Sequence, residues 1–194
     1  IFAAIVLKRS KIGFSYKKEN LKLLILRSTF GTLGILCNFY AIDKLVLADA
    51  SMLNKMSPFF AILFSYLLLK EKIDWVQAIS VAGAFVGSLF IIKPSFHNVE
   101  LIPALAGFAG GMAAGAAYTF VRILGQKGEK GPFIVFFFSS FSCVTTLPFL
   151  IFQYHAMSLT QVIYLLLAGL AAAGGQFAIT AAYCYAPASE VSIY

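Results

Sequence analysis

The chain is a succession of apolar blocks joined by short polar links. LLILRSTFGTLGILCNFYAI, SMLNKMSPFFAILFSYLLL, VQAISVAGAFVGSLFII, LIPALAGFAGGMAAGAAYTFVRIL, FIVFFFSSFSCVTTLPFLIF and VIYLLLAGLAAAGGQFAITAAY follow one another along its 194 residues. Each approaches the roughly 20 apolar residues that a helix needs to cross a hydrocarbon core. The blocks predict helices over 21–42, 48–69, 76–93, 101–124, 133–152 and 160–184. Residues 1–7 read as the end of an earlier helix, and 187–194 as the opening of another. Surface helices of water-soluble proteins keep a polar face, which these blocks lack. Lipid is therefore the expected solvent.

Composition agrees. Hydrophobic residues make up 60% and charged residues 12%, against about 25% charged in an ordinary domain. Mean hydropathy is +0.87. In lipid each backbone must satisfy itself within its own helix, which excludes an open sheet. The two-residue alternation of a membrane barrel is absent.

The net charge of +7 does not point to nucleic acid, because no basic stripe with interleaved aromatics lies in a soluble segment. The cations cluster in alternate links instead: Lys8, Arg9, Lys11, Lys17, Lys18 and Lys22, then Lys70 and Lys72, then Lys127 and Lys130. The positive-inside rule assigns those links to the cytoplasm, so the span from Leu21 runs outward and the directions then alternate. The links near Lys44, Lys93 and His155 fall outside. Cys37, Cys143 and Cys184 lie in apolar blocks and read as small packing residues. His97 and His155 stand alone, and no GxSxG elbow or P-loop occurs. No metal, cofactor or catalytic residue is expected. The first residue is Ile1, and an apolar block opens near Tyr194, so the chain reads as a piece of a longer protein.

An internal repeat divides the chain. AIDKLVLADAS (41–51) aligns with AYCYAPASEVS (182–192), placing Asp49 on Glu190, Ser51 on Ser192 and Gly34 on Gly175. The alternating directions make the two copies inverted, a recurrent plan of secondary transporters. The expected fold class is an all-α integral membrane protein, a polytopic transmembrane helix bundle with two inverted repeats over 1–93 and 101–194. GQKGEKGP is the most linker-like stretch, and its glycines and charges suit a flexible hinge between two halves.

FYAIDKLVLADASMLNKMSPFFAILFSYLLLKEKI is similar to the first-half signature of the drug/metabolite transporter superfamily, EamA type. The resemblance rests on Phe39-Tyr40-Ala41, the small-residue break from Ala48 to Ser51, Pro58 within the next helix and Glu71 at its cytoplasmic end. AAGAAYTFVRILGQKG resembles the helix that opens the family's second repeat, with Tyr118 and Arg122 in place, and TAAYCYAPASEVS resembles the second copy of the break. The resemblance implies ten helices in two five-helix repeats. On that template this chain lacks the first and tenth helices and most of the second and ninth.

Several polar residues interrupt the blocks. Lys55, beside Asn54, is either a buried cation able to meet an anionic group, or a lysine snorkelling to the outer interface. Pro58 marks a kink, static or gating. Asn38 and Tyr40, if they face the interior, offer hydrogen bonds to a ligand; otherwise Tyr40 is an interfacial anchor. Gln176 bonds a neighbouring helix or lines a pathway. Arg27 is expected to snorkel to the cytoplasmic interface or to pair with an acid such as Glu71. Glu71 and Arg122 are expected in structural or gate-closing ion pairs, with topology signalling as the plainer role of Arg122. Gly107, Gly111 and Gly115, and likewise Gly83 and Gly87, share a helix face suited to close packing.

The function expected is a secondary transporter of small polar metabolites, amino-acid-like or drug/metabolite-like, working by alternating access in the plasma membrane, as in a bacterial inner membrane. Its partners would be the lipid bilayer and a small-molecule substrate, with a homodimer left open. The alternative is a membrane-embedded enzyme acting on lipids or lipid-linked substrates, and a non-transporting scaffold is a third reading.

Overall fold

A computed structural model describes residues 2–9, 17–72, 74–92, 100–152 and 156–191. His97, His155 and Ser192 lie outside the described residues. The elements are α1 (Phe2–Arg9), a 3-10 turn (Lys18–Asn20), α2 (Leu21–Lys44), α3 (Leu47–Asn54), α4 (Ser57–Leu69), α5 (Trp75–Ile92), α6 (Leu101–Gln126), α7 (Gly131–Phe152), α8 (Leu159–Tyr185) and α9 (Ala188–Val191). Among the described residues, Lys18–Lys44, Leu47–Leu69, Leu101–Gln126, Gly131–Phe152 and Leu159–Tyr185 are long and apolar enough to cross a membrane. The protein is an all-helical, multi-pass membrane protein.

Helix α6 is the axis of the bundle, packing on α2, α3, α4 and α8. Its glycines explain why. A Cβ at Gly110 would meet Cys37 Cβ at 3.1 Å and Gly34 O at 3.2 Å, on α2. A Cβ at Gly111 would meet Leu53 O at 2.6 Å, and one at Gly115 would meet Ala61 N at 2.8 Å. Backbones this close leave no room for a side chain, which is the small-residue packing of membrane helices. The expectation for Gly107, Gly111 and Gly115 therefore holds. For Gly83 and Gly87 on α5, an added Cβ would meet nothing within 4 Å among the described residues.

These contacts also give directions. Gly107 meets Ala41 while Gly110 meets Cys37, so α2 and α6 are antiparallel. Leu24, near the start of α2, shares a core cluster with Val121, Leu124 and Tyr183, near the ends of α6 and α8. Helices α2 and α8 thus run in opposite directions.

The two breaks match in geometry. Helix α2 ends on extended Leu45, whose N–H donates to Ala41 O at 2.8 Å; α8 ends on extended Ala186, whose N–H donates to Ala182 O at 2.9 Å. Past the first break, Asp49 and Ala50 N–H donate to Val46 O; past the second, Glu190 and Val191 N–H donate to Pro187 O. Every pair sits at the offset read from the sequence. Helix α8 opens with a reciprocal cap: Gln161 N donates to Ser158 Oγ at 3.3 Å and Ser158 N to Gln161 Oε1 at 2.8 Å.

Two expectations are corrected. The span over 48–69 stands as Leu47–Leu69, but a turn at Lys55 and Met56 divides it into α3 and α4. Pro58 consequently lies in the first turn of α4 rather than at an internal kink. Its lost N–H is one that a first turn leaves unpaired in any case. The GQKGEKGP link, expected as a loose hinge, is clasped: Glu129 is buried, and its Oε1 accepts from Lys17 N and Asn20 Nδ2, both at 2.9 Å.

Candidate functional site

Residues Arg27, Gly31, Gly34, Ile35 and Asn38 repeat at helical spacing and form one face of α2. That face borders a crevice of about 150 Å³, closed by Asn54, Ala114, Ala117, Tyr118, Phe138 and Gln176. A rise of 1.5 Å per residue puts Arg27 and Asn38 about 16 Å apart along the helix, so the crevice is elongated. Beside it lies a larger compartment of about 540 Å³, to which Asn54, Lys55, Pro58, Tyr118 and Tyr183 contribute. Asn54 and Tyr118 border both spaces. The volume of the second is that of a small-molecule site.

An aromatic stack lies beside the two spaces. The rings of Tyr118 and Tyr183 stack with centroids 4.9 Å apart and planes 6° apart, and Tyr183 is 2% exposed. Gln176 Nε2 donates to Thr180 Oγ1 at 3.2 Å, one turn on in α8. Gln176 therefore bonds its own helix while lining the crevice.

Of the candidate residues, the structure brings together Asn38, Asn54, Lys55, Pro58, Tyr118 and Gln176. Lys55 is exposed at the α3–α4 turn and borders the larger compartment. Tyr40 lies apart and is 43% exposed. Residues two apart on a helix point to nearly opposite sides, so Tyr40 cannot share the inward face of Asn38.

Glu71 and Arg122 lie away from the crevice and pair with each other. Arg122 Nε donates to Glu71 Oε1 at 2.8 Å, Gln126 Nε2 donates to the same oxygen at 3.3 Å, and Arg122 Nη1 donates to Cys184 O at 3.4 Å. Lys70, in the left-handed conformation with φ 55, ends α4 just before Glu71. The pair ties the end of α4 to α6 and α8.

Arg27 departs most from expectation. It neither snorkels nor pairs with Glu71, whose Oε1 accepts from Arg122 instead. It is 2% exposed, with Cζ 4.1 Å from the centroid of the Phe138 ring. Gly31, one turn on, makes this possible, since a Cβ there would collide with Arg27 Nη1 and the Phe138 ring. The Arg27–Gly31 spacing was visible in the sequence, but the aromatic seat on α7 was not.

The EamA-like transporter family matches residues 1–93. The chain is 32% identical over 184 residues to an "Uncharacterized transporter" of Helicobacter pylori, covering 92% of this chain and 62% of that protein. It is 31% identical over 194 residues to the Pseudopaline exporter CntI of Pseudomonas aeruginosa, covering 97% and 66% respectively. Human solute carrier family 35 member G1 is 33% identical over 86 residues, 44% of this chain and 24% of its own. The chain thus spans less than two thirds of the length of the bacterial relatives it matches. No solved structure matches it.

Proposed function

The chain belongs to the EamA-type drug/metabolite transporter superfamily, and from that membership we propose that it forms part of a secondary transporter carrying small polar metabolites by alternating access. One observation carries the reading. Asn38, Asn54, Tyr118 and Gln176, from four different helices, meet Arg27 around one crevice. Polar groups held within a membrane mark pathways. The α3–α4 turn and the second break both reach the larger compartment, through Asn54 and Lys55 and through Val191. Interrupted helices at a substrate site are a recurrent transporter device.

The moving parts in this reading are the repeats, 1–93 and 101–194. The equivalent breaks and the opposed directions of α2 and α8 support them. The Glu71–Arg122 pair joins the two halves, and so does the clasp of Glu129 on Lys17 and Asn20. Both ties lie at the end whose links carry the lysines. Their rupture would open that end, which gives Glu71 and Arg122 a gating role. The membrane is proposed to be a plasma membrane, with the bacterial relatives as support.

The test is flux through the full-length protein in proteoliposomes across a broad metabolite panel. Saturable uptake or efflux is expected, and Asn54→Ala with Gln176→Ala should cut it by about tenfold or more while membrane insertion stays normal. Absence of saturable flux for every solute would overturn the reading. Loss of assembly rather than flux in the double variant would favour a scaffold.

A further inference from the structure

Among the described residues, Arg27 is a buried cation that no carboxylate compensates. Its Nε has no hydrogen-bond partner, and neither ion pair among the described residues includes it. A guanidinium in a lipid-embedded bundle is costly to bury, and removing its counter-charge makes it more so. Among the described residues, the linings of the crevice and of the larger compartment hold two cations, Arg27 and Lys55, and no Asp or Glu. We infer that the counter-charge is the substrate's own: Arg27 is the anion-binding residue of the pathway, and the transported molecule presents an oxyanion, carboxylate or phosphate, to it. This rests on the transport reading and narrows its substrate class.

The seat of the side chain supports the assignment. Phe138 covers one face of the guanidinium, which fixes its plane and leaves the edge for a ligand. Gly31 clears the space beside Nη1. A planar fork of N–H donors suits a two-oxygen anion held through parallel hydrogen bonds. Along the rest of the crevice the amides of Asn38, Asn54 and Gln176 and the Tyr118 hydroxyl are neutral groups able to donate or accept. They fit the uncharged polar remainder of such a molecule. A cationic solute would meet two like charges and no carboxylate.

The experiment uses the full-length protein in lipid nanodiscs with ¹⁵N-labelled arginine, the Arg27 Nε resonance being assigned by its loss in Arg27→Lys. Acetate and inorganic phosphate are titrated separately, with acetamide and sodium chloride as controls. A saturable shift of the Arg27 resonance by acetate or phosphate, with Arg122 unmoved, is the expected result. Response to acetate alone assigns a carboxylate, and response to phosphate alone assigns a phosphate. No response to either anion, or an equal response to acetamide, overturns the proposal. Gly31→Ala keeps the charge and crowds its seat, and should weaken the anion response by about tenfold or more at unchanged fold. In the flux assay, anionic solutes should move and Arg27→Lys, with the charge but not the fork, should slow them by about tenfold or more. Saturable flux of neutral or cationic solutes that survives Arg27→Met would sink the anion site and leave transport standing. Saturable acetate binding without flux of any solute would do the reverse.

Discussion

At the scale of single residues, the glycines of α6 and α5 look alike in sequence and behave differently in space. Gly115 faces Phe60 Cβ at 2.5 Å and Ser57 O at 2.8 Å, so Gly115→Val forces α4 away. Overpacking of this kind should cost about 1–3 kcal/mol, read as a lower unfolding temperature in detergent. Gly87→Val meets open space and should stay within about 0.5 kcal/mol. Equal effects at the two sites would contradict the packing described. The Glu71–Arg122 pair makes a second prediction. Its side chains are 18% and 14% exposed, and Glu71 Oε2 has no partner, so the pair acts mainly through one carboxylate oxygen. A double-mutant cycle of Glu71→Gln and Arg122→Gln should give a coupling of about 1–2 kcal/mol. A coupling near zero would mean the two side chains are independent and would remove the proposed gate. The polar residues Asn38, Asn54 and Gln176 were legible as interruptions of apolar blocks. Arg27 was legible as a charge and not as a site residue, because its role depends on Phe138, 111 positions away.

At the scale of elements, hydropathy located the helices to within a few residues and misjudged one. Residues 48–69 are mostly apolar, so the pattern predicted one span; Asn54 and Lys55 interrupt it where the turn lies, but a polar pair reads as a candidate site rather than as a break. Met56 N instead donates to Leu53 O at 3.2 Å, a tighter bond than the helical repeat. The placement of Pro58 in the first turn of α4 leads to a direct test. Proline in a helix interior costs about 3 kcal/mol, so removing it from a kink would raise stability by a comparable amount. Pro58→Ala should instead change the unfolding free energy by less than about 1 kcal/mol, since little bonding is restored at a first turn. The breaks after α2 and α8 behave oppositely to the α3–α4 turn. They recur in sequence and in hydrogen bonding, with small residues at equivalent places, Ala41 with Ala182 and Ala48 with Ser189, on either side of the same extended step.

At the scale of the whole molecule, alternation and charge make the orientation testable. Single cysteines placed in the full-length protein, freed of its native thiols, should react with a membrane-impermeant maleimide at Lys127 only from the cytoplasmic side. One at Met157 should react only from the outside. The reverse pattern would invert every span. The sequence by itself determined that these helices stand in lipid, roughly where each begins and ends, and that the breaks near 45 and 186 share a residue pattern. Those properties follow from local composition and from the free energy of burying apolar surface, which acts on each block separately. The tertiary structure decided which face of each helix turns inward, that Glu71 meets Arg122 and not Arg27, and that a guanidinium on α2 lies against a ring on α7. Such outcomes depend on distances between residues far apart in the chain, and in a bundle where nearly every side chain is apolar, only close packing at a few glycines selects among the many rotations that hydrophobicity alone permits.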